Sequence, residues 1–143
     1  MDDTWENTHF GDLTQGPDGD FDGDGLSNLL ERAFGTSPSD SGDRVPMPEG
    51  TIVNDAGDDY LAITYRRLTG GSGTTGNGYT VGVLSYTVEY DADLTDPWSI
   101  GAVVAVGSPV NNADGTETVT VRLSTPISAA DKQFIRLRVT PAP

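Results

Sequence analysis

Four segments of this 143-residue chain alternate apolar and polar residues with a period of two, and no other feature restricts the fold as much. In 59–67, Leu61, Ile63 and Tyr65 share one face, and Ala62, Thr64 and Arg66 the other. Segment 85–90 turns Tyr86, Val88 and Tyr90 inward. Segments 116–123 and 134–140 do the same with Val119, Val121, Leu123 and with Ile135, Leu137, Val139. Only an extended strand sends successive side chains to opposite faces, so each segment reads as a half-buried β-strand. Weaker strand signals lie at 51–54 and 100–106. Short strands separated by turns predict a mainly β fold, an antiparallel sandwich of immunoglobulin or fibronectin-III type. The 18 Gly and 9 Pro residues supply the turns such a fold needs. Asn112-Ala113-Asp114-Gly115 reads as a hairpin connection. The glycine-rich stretch 69–79 reads as a mobile loop, without the Gly-Lys-Ser/Thr ending of a phosphate cradle.

Charge divides the chain. Its 22 acidic and 8 basic residues give a formal charge of −14, which disfavours nucleic acid and anionic membrane as partners and favours cations. Twelve of the acidic residues fall in 1–50 against only Arg32 and Arg44. The turn-prone Pro46-Met47-Pro48-Glu49-Gly50 therefore marks a boundary between an N-terminal segment, 1–50, and a sandwich, 51–143. With no Cys there is no disulfide framework and no thiolate ligand or nucleophile. No apolar run is long enough to span a membrane, and the first residues lack the basic and apolar regions of a signal peptide. The expectation is a piece of a larger exported chain.

The N-terminal segment carries the sharpest motif. Asp20-Phe21-Asp22-Gly23-Asp24-Gly25-Leu26-Ser27-Asn28-Leu29-Leu30-Glu31 matches D-x-D-x-D-G-x5-E at every defined position. A hard divalent cation such as Ca²⁺ takes six to eight oxygens, which a short loop must wrap around it. Asp20, Asp22 and Asp24 offer carboxylates, Gly25 permits the sharp turn, and Leu26 offers its backbone carbonyl. Asn28 ligates directly or through water, and Glu31 closes the shell with both oxygens. Leu26, Leu29, Leu30, Ala33 and Phe34 recur at helical spacing, which predicts a short helix over 27–34 stopped by Gly35. Mg²⁺ is the lesser candidate because it prefers fewer protein ligands.

The stretch GPDGDFDGDGLSNLLERAFGTSPSDSGD resembles the bacterial thrombospondin type 3-like calcium repeat. The remainder of the chain, with LAITYRRL, YTVEYDADLTDPW, DGTETVTVRLSTP and FIRLRVT, resembles a C-terminal module of large secreted or surface proteins of Verrucomicrobia and Planctomycetes. The resemblance runs from Trp5 to Thr140 and implies an exported, calcium-binding, non-catalytic domain. A second acidic loop is usual in that family. Here only Ser39-Asp40-Ser41-Gly42-Asp43 stands in its place, so Asp18, Asp40 and Asp43 are at most additional ligands.

Other constellations are weaker. His9 is the only histidine and has no H-x-x-x-H partner, so a zinc site or a histidine-based triad has little support. Asp58-Asp59 and Asp91/Asp93/Asp96 read as acidic turns rather than a glycosidase pair. Trp5, Trp98 and the five tyrosines offer a sugar-stacking platform only if exposed, and strand parity turns most of the tyrosines inward. Arg66, Arg122, Arg136 and Arg138 are expected to face outward and pair with carboxylates. Trp5 and Phe10 are expected to pin residues 1–13 against the sandwich or a neighbouring copy, as strand 51–54 also could. Two function classes emerge. One is a calcium-stabilised structural or assembly module of a bacterial surface protein or fibre, associating with itself or with neighbouring domains. The other is a carbohydrate-binding module with structural calcium.

Overall fold

The computed structural model describes residues 1–142. It is a mainly β fold of two four-stranded antiparallel sheets packed as a sandwich, with two short helices at the N-terminal end. Helices α1 (Asp3–Phe10) and α2 (Asn28–Phe34) precede strands β1 (Glu49–Asp55), β2 (Asp58–Leu68), β3 (Ser72–Thr74), β4 (Asn77–Val81) and β5 (Leu84–Asp91). Strands β6 (Val103–Asn111), β7 (Thr116–Leu123) and β8 (Phe134–Pro141) complete the chain, with a single 3₁₀ turn at Ile127–Ala129 before the last. One sheet runs β1-β2-β7-β6 and the other β3-β4-β5-β8.

The period-two residues meet in the core. Ile63, Tyr65, Val119, Val121 and Leu123 from the first sheet face Tyr79, Leu84, Tyr86 and Val88 from the second. Leu29, Ala33 and Phe34 of α2 join the same buried cluster, so the helix closes one end of the sandwich. Its N-cap is Ser27, whose Oγ accepts from Leu30 N–H at 3.4 Å.

Three features differ from the sequence-based expectation. Helix is not confined to the segment after the acidic loop. α1 has no apolar periodicity, and it is framed by Asp2, which accepts from Trp5 N–H, and by Gly11 in the left-handed conformation. The glycine-rich stretch is not a plain loop but the β3–β4 hairpin, anchored by buried Tyr79. The sixth strand is displaced, starting at Val103 rather than at residue 100. The N-terminal segment folds onto its own chain. Phe10 packs on Phe21 at 5.0 Å between centroids, and strand 51–54 lies within β1, paired to β2.

Two contacts fix α2 to the sheets. The Tyr86 hydroxyl donates to Ala33 C=O at 2.6 Å and accepts from Leu68 N–H at 3.2 Å. Gly35 ends the helix at φ 78°, and a Cβ there would lie 2.6 Å from Thr116 Cγ2. Tyr86→Phe should therefore cost about 1–3 kcal/mol, because it strips one buried carbonyl and one N–H of their partner. Gly35→Ala should cost more, since backbone strain and a steric clash add together. Denaturant unfolding checks both. A Tyr86→Phe variant of unchanged stability would remove the hydroxyl from its bridging role.

Candidate metal centre

The acidic loop is shaped by its own carboxylates. Asp20 Oδ1 accepts from Gly23 N–H at 2.7 Å and Asp24 N–H at 3.1 Å, and its Oδ2 from Gly25 N–H at 2.9 Å. Asp22 Oδ1 accepts from Asp24 N–H at 3.2 Å, and Asp24 Oδ1 from Leu26 N–H at 2.8 Å. These bonds curl the backbone round the side chains, and Gly25 takes φ 98° at the tightest point. One carboxylate oxygen from each of Asp20, Asp22 and Asp24 falls within 4.8 Å of the others, a cluster that could hold a metal ion.

Helix α2 brings the fourth acid. Glu31 is fully buried, and its Oε1 accepts from the Thr36 hydroxyl at 3.3 Å. The second oxygens of three acids, Asp22 Oδ2, Asp24 Oδ2 and Glu31 Oε2, are buried without any hydrogen-bond donor. A buried carboxylate oxygen left without a partner is costly, and a cluster of them is more so. Among the described residues the one cation paired with these three acids is Arg44, largely exposed, with Nη2 3.8 Å from Asp24 Oδ2. At that distance, with the arginine mostly in solvent, the pair contributes little. Burial, then the charges of Asp22 and Asp24, push the Glu31 carboxyl from its ordinary 4.5 up to about 7. The Thr36 hydroxyl works in the opposite direction.

The other residues of the motif also shape the loop. Asn28 is buried and braces the loop, its Nδ2 donating to Gly16 C=O at 2.9 Å and its Oδ1 accepting from Phe21 N–H at 3.2 Å. Leu26 presents its N–H to Asp24, which orients the adjoining peptide. Asp18 is exposed. Asp40 and Asp43 cap turns in the next loop, accepting from Gly42 N–H and Ser37 N–H respectively. Thr36, one residue past the helix stop, is a contact to Glu31 that the twelve-residue motif does not reach.

The remaining candidates fall into ordinary structural places. Asp91 and Asp93 both accept from Thr95 N–H in a turn. Arg66, Arg122, Arg136 and Arg138 pair with Asp114, Asp55 and Glu89 as the outward parity implies. Tyr65, Tyr79 and Tyr86 are buried, and Tyr60 and Trp98 lie beneath Arg122 and Arg136 guanidinium groups 3.9 Å from their ring centroids. Among the described residues no helix is long and apolar enough to cross a membrane.

Glu31 sets a pH dependence. Its folded-state pKa lies above its unfolded value, so the folded chain holds more protons than the unfolded one between about 4.5 and about 7. In the presence of a chelator, stability should therefore fall as pH rises through that window. Thermal melts of the parent and of Glu31→Gln, run across it in EDTA, test this. The parent should lose melting temperature relative to the variant as pH rises. Parallel curves would show that Glu31 ionises freely.

Comparison with known protein families, curated proteins and solved structures finds no match to this chain.

Proposed function

We propose that this chain is a non-catalytic, calcium-stabilised extracellular module that serves as a structural or assembly unit of a bacterial surface protein or fibre. The observation that carries the reading is the set of three buried, donorless oxygens on Asp22, Asp24 and Glu31. Asp22 and Asp24 belong to the aspartate cluster of the loop, and Glu31 on α2 feels their charge, with no adequate countercharge. A divalent ion supplies to all of them at once what no side chain here supplies.

The choice of Ca²⁺ rests on the ligand set. Three aspartates and a helix-borne glutamate at this spacing, with a backbone carbonyl available at Leu26, suit a large ion of flexible coordination. Mg²⁺ would require near-ideal octahedral geometry and usually retains several waters. The extracellular setting is argued from affinity. Sites of this type in extracellular modules work at about 10⁻⁴–10⁻³ M Ca²⁺, available outside cells and absent from a resting cytosol. The thrombospondin type 3-like pattern of residues 16–43 points the same way. The assembly role draws support from β6, which ends its sheet, is exposed along most of its length, and carries Val104 and Val110 on its surface. Such edges accept further strands.

Titration calorimetry should give a Ca²⁺ binding heat that Mg²⁺ does not match. Melting temperature should rise with Ca²⁺ concentration by mass action. Glu31→Gln and Asp22→Asn should each abolish that rise. Asp114→Ala should lower stability without altering the calcium dependence, because Asp114 serves Arg66 and Thr116 on β2 and β7. Light scattering with and without Ca²⁺ addresses assembly. Absence of both a binding heat and a chelator-induced shift would defeat the calcium reading, and a monomer at every Ca²⁺ concentration would defeat self-association.

A further inference from the structure

Arg32 stands apart from every other arginine. Arg44, Arg66, Arg67, Arg122, Arg136 and Arg138 each meet a carboxylate. Among the described residues Arg32 meets none, in a chain with 22 acidic side chains and a formal charge of −14. Its Nε and Nη1 are buried and find no acceptor. A guanidinium shut away without acceptors is as unfavourable as a carboxylate without donors. The Trp5 ring lies 5.2 Å from its Cζ and offsets part of that cost.

Arg32 lines a cleft of about 290 Å³ between α1, the end of α2 and the loop after it. Trp5, His9, Thr36, Ser37 and Asp43 line it with Arg32. The Thr36 hydroxyl is committed to Glu31, and Asp43 Oδ2 to Ser37 N–H. Asp43 Oδ1 and the Ser37 hydroxyl remain to meet a ligand, the latter now 3.2 Å from Ser39 Oγ. Burial and the Arg32 charge lower the pKa of His9, so Arg32 is the cation of the cleft at neutral pH. One wall therefore calls for an anion and the other for a hydrogen-bond donor. The planar fork of arginine matches a carboxylate. The surrounding negative field discriminates against doubly charged anions such as phosphate.

We infer that this cleft is a binding site for a small monocarboxylate that also carries a hydroxyl or ammonium group, its carboxylate held by Arg32 and its donor by Asp43 and Ser37. An acidic sugar and a free amino acid share that chemistry. Both present an acid and a donor on adjacent carbons or across one ring, a size the cleft accommodates. The cleft includes none of the three aspartates of the acidic loop.

The test is an NMR titration in saturating Ca²⁺, tracking the Arg32 Nε–Hε and Ser37 amide resonances. The probes are D-glucuronate, L-alanine, acetate and D-glucose. Glucuronate or alanine should shift both resonances, and whichever binds identifies the donor as hydroxyl or ammonium. Acetate should bind at least about tenfold more weakly, a difference of about 1.4 kcal/mol, and glucose should not bind. Arg32→Gln should abolish binding. Arg32→Lys, which keeps the charge and the packing on Trp5 but loses the fork, should weaken it about tenfold or more at unchanged melting temperature. Asp43→Asn should weaken the donor-bearing probes and leave acetate unaffected. If neither glucuronate nor alanine shifts these resonances, if glucose binds as well as glucuronate, or if acetate matches both acids, the site does not exist as described.

Discussion

Burial of the Glu31 carboxylate is the constraint on which the N-terminal half depends. The helix that carries it must dock, because Leu29, Ala33 and Phe34 belong to the same core as Tyr65 and Tyr86. Docking takes Glu31 out of water and sets it beside Asp22 and Asp24. The apolar face and the acidic residue of one short helix therefore pull in opposite directions. Seven residues are too few to be helical alone, so the contest is decided by tertiary contacts. The Tyr86 hydroxyl and Gly35 hold the last turn in place. The carboxylates at the other end of the helix impose the cost.

This arrangement couples the loop energetically to the docking of α2 on the sheets. Removing the charge conflict would leave α2 free to settle on the sheets. Deepening the conflict would lever it away. A cation in the loop acts on the first of these terms, and the sheets, whose pairing does not involve the acidic residues, keep their own stability. The core strands alternate inward residues from two sheets in the manner of any sandwich, and the polar groups on their outer faces are satisfied by arginine–carboxylate pairs such as Arg66–Asp114 and Arg122–Asp55.

The strands were legible because alternation has a single structural explanation. Ile63, Tyr65, Tyr86, Val88, Val119 and Val121 occupy the core as their parity demands. The same parity, carried one step further, puts Arg67 inward, where it lies 3.6 Å over the Tyr79 ring centroid and pairs with Glu117. The β3–β4 hairpin was hidden because five glycines within 69–79 mask the apolar signal of Tyr79 and Val81. α1 was hidden for a related reason, since its one buried residue is the acidic Glu6. Its signal was in the caps, Asp2 and Gly11, rather than in hydrophobicity. In the acidic loop, spacing located the carboxylates. It carried no indication that the Asn28 carboxamide would be engaged at both ends as a brace, because that depends on where Gly16 and Phe21 lie in space.

The hydrogen bonds that curl the loop also govern its chemical ageing. Asp22-Gly23 and Asp24-Gly25 are the kind of step at which an aspartyl residue rearranges, when the nitrogen of the next glycine attacks its side-chain carbonyl. Both nitrogens are turned elsewhere, Gly23 N–H toward Asp20 Oδ1 and Gly25 N–H toward Asp20 Oδ2. The attack geometry is denied as long as Asp20 keeps its two partners. A loop that stays closed is thus protected against isoaspartate formation, and one that opens begins to accumulate it at the residues that shape the loop. Holding the loop shut thus preserves the covalent structure as well as the fold.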